Sequence, residues 1–302
     1  MKYYVGNSFA CGAHTGNPAG VVVVDQPVSD AMMQGIAFEN GLSETAFIQR
    51  DGEAWNIAWF TPKKEVGFCG HATLGAAYMI LNYLDVGKEK VIFHSRRDGD
   101  AYCEKDGDLY FLDFPTRGLA EMTGPSEIER AFGCKPLRCY HDPVRKDIIF
   151  ALLENAEQVA ALVPDLDVIR SIPHIDGVVA MAPGTDTDYV CRFFGPAMGI
   201  PEDPVTGSIE MCMIPFWRKR LGKDELTDRQ LSPRGGIKYL RYKGDRVQIG
   251  GRVDMYLIGE ILDKTEVAQR FACSVHLCRR IFSTESRSIS AAKRGNWARA
   301  RT

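Results

Sequence analysis

No apolar run in this 302-residue chain approaches the ~18 residues that would suggest a membrane-spanning helix. Charge of one sign is not in excess either. Lys and Arg number 37 and Asp and Glu 39, a formal net charge of −2, so no global field points to nucleic acid or an acidic membrane surface. The opening stretch MKYYVGNSFA lacks a long apolar core followed by a small-residue cleavage site, so no secretory signal is read there. The nine cysteines are scattered, odd in number and without a C-x-x-C pair. That distribution suits reduced thiols in the cytoplasm rather than a disulfide framework. Cys273, His276 and Cys278 come nearest to a metal signature, but three ligands without a nearby fourth do not make a zinc site, and no metal is expected. Low-complexity linkers are also missing, so the parts of the chain should pack closely.

What remains is an ordinary globular balance of 45% apolar and 25% charged residues over a length comfortable for two cores. Short β-rich runs separated by turn signals dominate. Gly20 to Val24 reads as a buried strand, and the runs DIIFALL, GVVAMAP, YVCRFF and RVQIGG read as later ones. Hairpins are expected at Asp51-Gly52 and Asp106-Gly107. Ser29 to Asn40 is helical in pattern, with Ser29 as N-cap and Gly41 where a left-handed residue is wanted.

The chain also echoes itself. Trp59-Phe60-Thr61-Pro62 is followed, after seven residues, by Gly70-His71-Ala72 and an apolar helical stretch to Leu84. Phe193-Phe194-Gly195-Pro196 is followed, after ten residues, by Gly207-Ser208-Ile209 and another such stretch to Leu221. Gly70 thus corresponds to Gly207, His71 to Ser208, and Cys69 to Thr206. A buried helix that begins at Gly exposes unpaired N–H groups at its positive end and lets a ligand approach the backbone. Two such mouths facing one cleft would hold a small anion or a developing enolate. Read singly, Ser208 is as well explained as a helix cap and His71 as a hydrogen-bonded structural residue. Glu44, at the start of an apolar strand, is the candidate proton carrier, and partial burial should raise its pKa. A solvated strand-end residue is the plain alternative. Asp203, before Pro204, is first of all a turn former.

GNPAGVVV (Gly16 to Val23), LSETAF (Leu42 to Phe47), WFTPKKEVGFCGHATLGAA (Trp59 to Ala77) and RFFGPAMGIPEDPVTGS (Arg192 to Ser208) together resemble the PhzF-like isomerase family of phenazine biosynthesis. PFWRKRLGK (Pro215 to Lys223) and LSPRGG (Leu231 to Gly236) extend the resemblance, which covers about residues 1 to 262. It implies an α+β, diaminopimelate-epimerase-like fold of two pseudo-symmetric domains, each a β-barrel-like sheet wrapped around a central helix. The expected division is 1–118, 119–262 and a basic tail, 263–302, with nine Lys or Arg against three Asp or Glu. The resemblance further implies an interdomain site for a small anionic substrate, no cofactor or metal, and a homodimer.

Carried over residue by residue, the resemblance implies catalytic roles for Glu44, His71 and Asp203. It implies substrate contacts at Gly70, His71, Gly207 and Ser208. In the namesake enzyme the reaction isomerises a dihydro-hydroxyanthranilate by moving a proton between carbons. Racemases of the same fold use a thiolate from each half. Here Cys69 is echoed by Thr206, so a two-thiol mechanism is not expected and Cys69 is read as a packing residue. The chain departs from the pattern at Gly67, where an acidic residue is common. It also departs at Glu210, which adds negative charge near the second mouth. A catalytically silent small-molecule binder using the same cleft is the alternative function, and a nucleic-acid role for the tail is not favoured.

Overall fold

The computed structural model describes residues 1–262, so the tail from 263 onward, with Cys273, His276 and Cys278, lies outside the described residues. Lys2–Gly259 form one compact unit. Its first half holds strands β1 (Lys2–Ser8), β2 (Asn17–Val23), β3 (Glu44–Asp51), β4 (Ala54–Phe60) and β5 (Glu65–Val66). β6 (Lys90–Ser95), β7 (Gly99–Asp106), β8 (Leu109–Pro115) and β9 (Ala120–Met122) follow. Helix α1 (Asp30–Asn40) lies between β2 and β3, and α2 (Gly70–Met79) between β5 and β6. In the second half, α3 (Ser126–Phe132) precedes β10 (Arg138–His141) and β11 (Ile148–Leu152). Then come α4 (Ala156–Ala161), α5 (Leu166–Arg170), β12 (Gly177–Pro183), β13 (Tyr189–Gly195) and β14 (Ile200–Asp203). α6 (Glu210–Leu221), β15 (Glu225–Gln230), β16 (Gly236–Tyr242), β17 (Arg246–Gly251) and β18 (Val253–Glu260) complete it.

Strand pairing repeats between the halves. β1–β2 is antiparallel, β2–β3 parallel, β3–β4 and β4–β5 antiparallel, and β4–β6 parallel. β10–β11, β11–β12, β12–β13, β13–β14 and β13–β15 follow the same sequence of directions. Antiparallel runs β6–β7–β8 and β15–β16–β17 then close each half. The two halves join where β8 pairs with β17, β9 with β10 and β1 with β18. This α+β architecture is the expected one, and the internal echo of the sequence is a duplication of topology.

Each repeat wraps strands around one helix. α2 packs against β1, β2, β3 and β8, and α6 against β15, β16 and β17. Nearly every residue of α2 is buried, which is why its sequence is apolar or small all round rather than amphipathic. It continues into a π-helical turn over Ile80–Leu84. The second helix starts later than its echo predicts. Gly207 to Ile209 form a turn in which the Gly207 carbonyl accepts from Glu210 N–H, and α6 begins at Glu210. Pro215 inside α6 cannot donate to Met211, and that carbonyl is taken instead by the N–H of Arg117 from the connection between the halves.

The local signals hold where they rest on short-range chemistry. Ser29 accepts from Met32 N–H, and Gly41 ends α1 with φ +61°. The hairpins turn at Gly52 and Gly107, both with positive φ. No helix among the described residues is long and apolar enough to cross a membrane.

Candidate active site

Glu44 is the first residue of β3 and His71 the second of α2. Parallel pairing of β2 with β3 sets Glu44 opposite Ala19, and the packing of α2 against β3 brings the imidazole to it. His71 Nε2 lies 3.2 Å from Glu44 Oε2, with the two side chains only 10% and 14% exposed. Ser43 Oγ lies 3.5 Å from the same nitrogen, and Cys69 Sγ lies 3.5 Å from Nδ1. The imidazole therefore meets the carboxylate through Nε2 and the thiol through Nδ1. Glu44, Cys69 and His71 thus offer three ligand-type atoms within 4.8 Å of one another, and the Cys69 thiol also hydrogen-bonds Glu44 directly.

The electrostatics correct one expectation. Burial does push the Glu44 carboxyl up, but the hydrogen bond and charge of His71, helped by Ser43 and Cys69, outweigh it, so its pKa lies below the usual 4.5. Burial also opposes charge on His71, yet its anionic neighbours hold its pKa well above 6.5. A Cys69 thiolate would be the strongest of these neighbours. Burial, however, raises that thiol above its own usual range, so at neutral pH it is uncharged and Glu44 is the effective counter-ion. Cys69 is thus a hydrogen-bonding member of the site rather than packing alone.

Asp203, the last residue of β14, joins the same electrostatic environment. Burial raises its pKa, His71 and the Thr206 hydroxyl lower it, and the charge of Glu44 raises it again. Its Oδ1 accepts from Asn17 Nδ2 at 2.9 Å and its Oδ2 from the Thr206 hydroxyl. Asn17 Nδ2 also donates to the Val205 carbonyl at 2.9 Å, and Asn17 Oδ1 is buried without a partner among the described residues.

The two mouths are linked by the end of β1 and the residue that follows it. Ser8 Oγ donates to the His71 carbonyl at 2.7 Å, and a Cβ on Gly207 would lie 3.5 Å from the Phe9 ring. Gly70 opens α2 with free space before it: a Cβ there would meet nothing nearer than Phe68, at 3.9 Å. Gly207 and the exposed Ser208 lie on the turn before α6, and their N–H groups have no partner among the described residues. Glu210 corrects another expectation. Its side chain is fully buried, turned from the mouth toward Lys238 and Tyr189. At Gly67, the carboxylate of Asp98 lies 3.2 Å from where a Cβ would stand, so a neighbouring segment supplies an acidic group there.

Glu44, His71, Asp203 and the first mouth were legible in the motifs. Ser8 and Asn17 carry no such signal, since a polar residue within a β-rich run reveals its partners only once the strands pair. Surface cavities of about 670 and 260 Å³ lie elsewhere, and neither is lined by Glu44, His71 or Asp203.

The phenazine biosynthesis-like protein family matches residues 7–109 and 115–252. An uncharacterized isomerase of Pseudomonas aeruginosa is 41% identical over 261 residues, covering 86% of this chain and 98% of that protein. The crystal structure of a PhzF-family protein from Enterococcus faecalis superposes with a TM-score of 0.83 at 38% identity, covering 87% of this chain and 99% of that one. A hydroxyproline epimerase from Agrobacterium vitis shares the fold alone: its TM-score is 0.56 at 12% identity, covering 86% of this chain and 91% of that one.

Proposed function

We propose, for a chain that belongs to the phenazine biosynthesis-like protein family, an isomerase that moves a proton within a small carboxylic or amino acid without a cofactor. Glu44, held deprotonated, takes a proton from a carbon activated by the substrate's carboxyl group. The electron pair delocalises into an enolate, which is met by the N–H groups opening α2 and those of Gly207 and Ser208. The proton returns to a different carbon from Glu44, or is replaced by one from the His71 imidazolium, in which case the proton on Glu44 passes to His71 across 3.2 Å and restores both groups. Asp203, its pKa raised by burial, faces the same charges and would hydrogen-bond the substrate. Asn17 Oδ1 is a buried acceptor suited to an amino group.

The observation that carries this reading is the nearly buried Glu44–His71 pair, 3.2 Å apart, at the opening of α2. A silent binder needs no such tuned pair, and the buried Glu210 carboxyl is engaged by Lys238 and Tyr189. The test is incorporation of solvent deuterium into a panel of cyclic amino acids by the parent protein and by Glu44→Gln. General acid/base help contributes about 10²–10⁴-fold, so the variant should lose exchange by that factor. Equal exchange by both proteins would remove Glu44 from the mechanism.

A further inference from the structure

Behind the second mouth lies a buried polar cluster that acid/base transfer through Glu44 does not use. Lys238 on β16 is fully buried, with Nζ 2.7 Å from Glu210 Oε1 and 2.8 Å from Asp228 Oδ2. Tyr189 OH donates to the other Glu210 oxygen, and Cys191 Sγ donates to Asp228 Oδ2 at 3.3 Å. Burial opposes charge on Lys238, but the Asp228 and Glu210 carboxylates keep it an ammonium. Burial, opposed by Lys238 and reinforced by Asp228, pushes Glu210 up to about 7.

This cluster reaches the site through one loop. Lys238 Nζ donates to the Thr206 carbonyl at 2.9 Å. Gln230 Oε1 accepts the Thr206 N–H at 2.8 Å, while its Nε2 donates to the Asp203 carbonyl at 2.8 Å and to Thr206 Oγ1 at 3.2 Å. Ser232 Oγ donates to the Pro204 carbonyl at 2.6 Å, and Asn17 holds that of Val205. Every carbonyl from Asp203 to Thr206 is therefore held by a side chain from a neighbouring segment, whereas the next two N–H groups have no partner among the described residues.

The Thr206 carbonyl and the Gly207 N–H belong to one planar peptide unit and, in its trans form, point in opposite directions. Drawing the carbonyl inward to a buried ammonium turns the N–H outward. We propose that Lys238 and Gln230 are positioning residues that aim the Gly207 N–H at an anionic group of the substrate and fix the Asp203 carboxyl beside it. The catalytic consequence rests on the function proposed above; the positioning itself does not.

The test uses the full chain without substrate, with amide and carboxyl signals read by NMR in the parent, Lys238→Met and Gln230→Glu. Gln230→Glu keeps the side-chain volume but replaces two donors with acceptors, so the Thr206 hydroxyl is drawn to the introduced carboxylate and away from Asp203. The Asp203 titration should then rise by about one pH unit, a tenfold change in its protonation equilibrium. Lys238→Met should displace the Gly207 and Ser208 amides. It should also weaken binding of benzoate, a plain carboxylate probe that should perturb those amides in the parent, by about tenfold or more.

If Lys238→Met does not fold, Gln230→Glu decides. An unmoved Asp203 titration with unmoved amides at 206–208 overturns the positioning role. A parent protein in which benzoate leaves the Gly207 and Ser208 amides untouched overturns the anion assignment. Failure of Glu44→Gln to reduce exchange would sink the proposed function while leaving these readings intact.

Discussion

Replacing His71 with Gln removes the cation 3.2 Å from Glu44 while keeping a polar side chain at the mouth of α2. An opposite charge at this distance lowers a carboxyl pKa by about 1–3 units, and burial alone would then act on Glu44 in the other direction. The Glu44 carboxyl should therefore move from below 4.5 to above it. Carbon-13 NMR titration of the Glu44 carboxyl measures this directly. Stability should follow. Glu44 contributes above pH 4.5 and loses that contribution as pH falls through its lower folded value, while His71 contributes below 6.5 and loses it as pH rises through its higher folded value. The pair is fully formed between those limits. At 10% and 14% exposure it should be worth about 1–3 kcal/mol, between a surface pair and a wholly buried one. Urea unfolding of parent and variant should differ most at pH 4.5–6.5, with the gap closing well above. A Glu44 titration identical in the two proteins would refute the coupling on which the site rests.

Lys238→Met should cost about 3–5 kcal/mol in urea unfolding, because the carboxylates it faces are left buried and uncompensated. Adding Glu210→Gln and Asp228→Asn to it should recover part of that loss, and no recovery would argue against charge as the cause. Gly70→Ala should leave stability within about 0.5 kcal/mol, since its Cβ would enter open space, yet should abolish deuterium exchange by filling the first mouth. Thr206→Val removes a donor to Asp203, so the Asp203 pKa should rise further and unfolding should cost about 1–3 kcal/mol less, both within reach of titration and denaturation.

How much could be read beforehand depends on the range of the forces involved. Ser29 and Gly41 announce the ends of α1, and Gly52 and Gly107 their hairpins, because capping and turn geometry involve only a few neighbouring residues. Glu44, His71 and Asp203 stand in motifs that resemble a family, and the structure brings them into one electrostatic environment. The further contacts of Cys69, which packs against the core as expected, and the partners of Glu210 were not legible, because a side chain's direction depends on what surrounds it. Cys69 turns to His71, and Glu210 turns away from the mouth to Lys238, which lies 28 positions along the chain.

The sequence by itself determined the secondary-structure rhythm, the doubled strand–loop–helix unit and the residues that could carry acid/base chemistry. Those properties follow from local propensity, apolar periodicity and the identity of the side chains. Only the tertiary structure decided the protonation of those residues and the direction of the free N–H groups. A pKa is set by burial and by charges a few ångströms away, and a peptide plane is oriented by whatever holds its carbonyl. At Glu44 and at Gly207 those determinants arrive from distant strands, and no short stretch of the chain contains them.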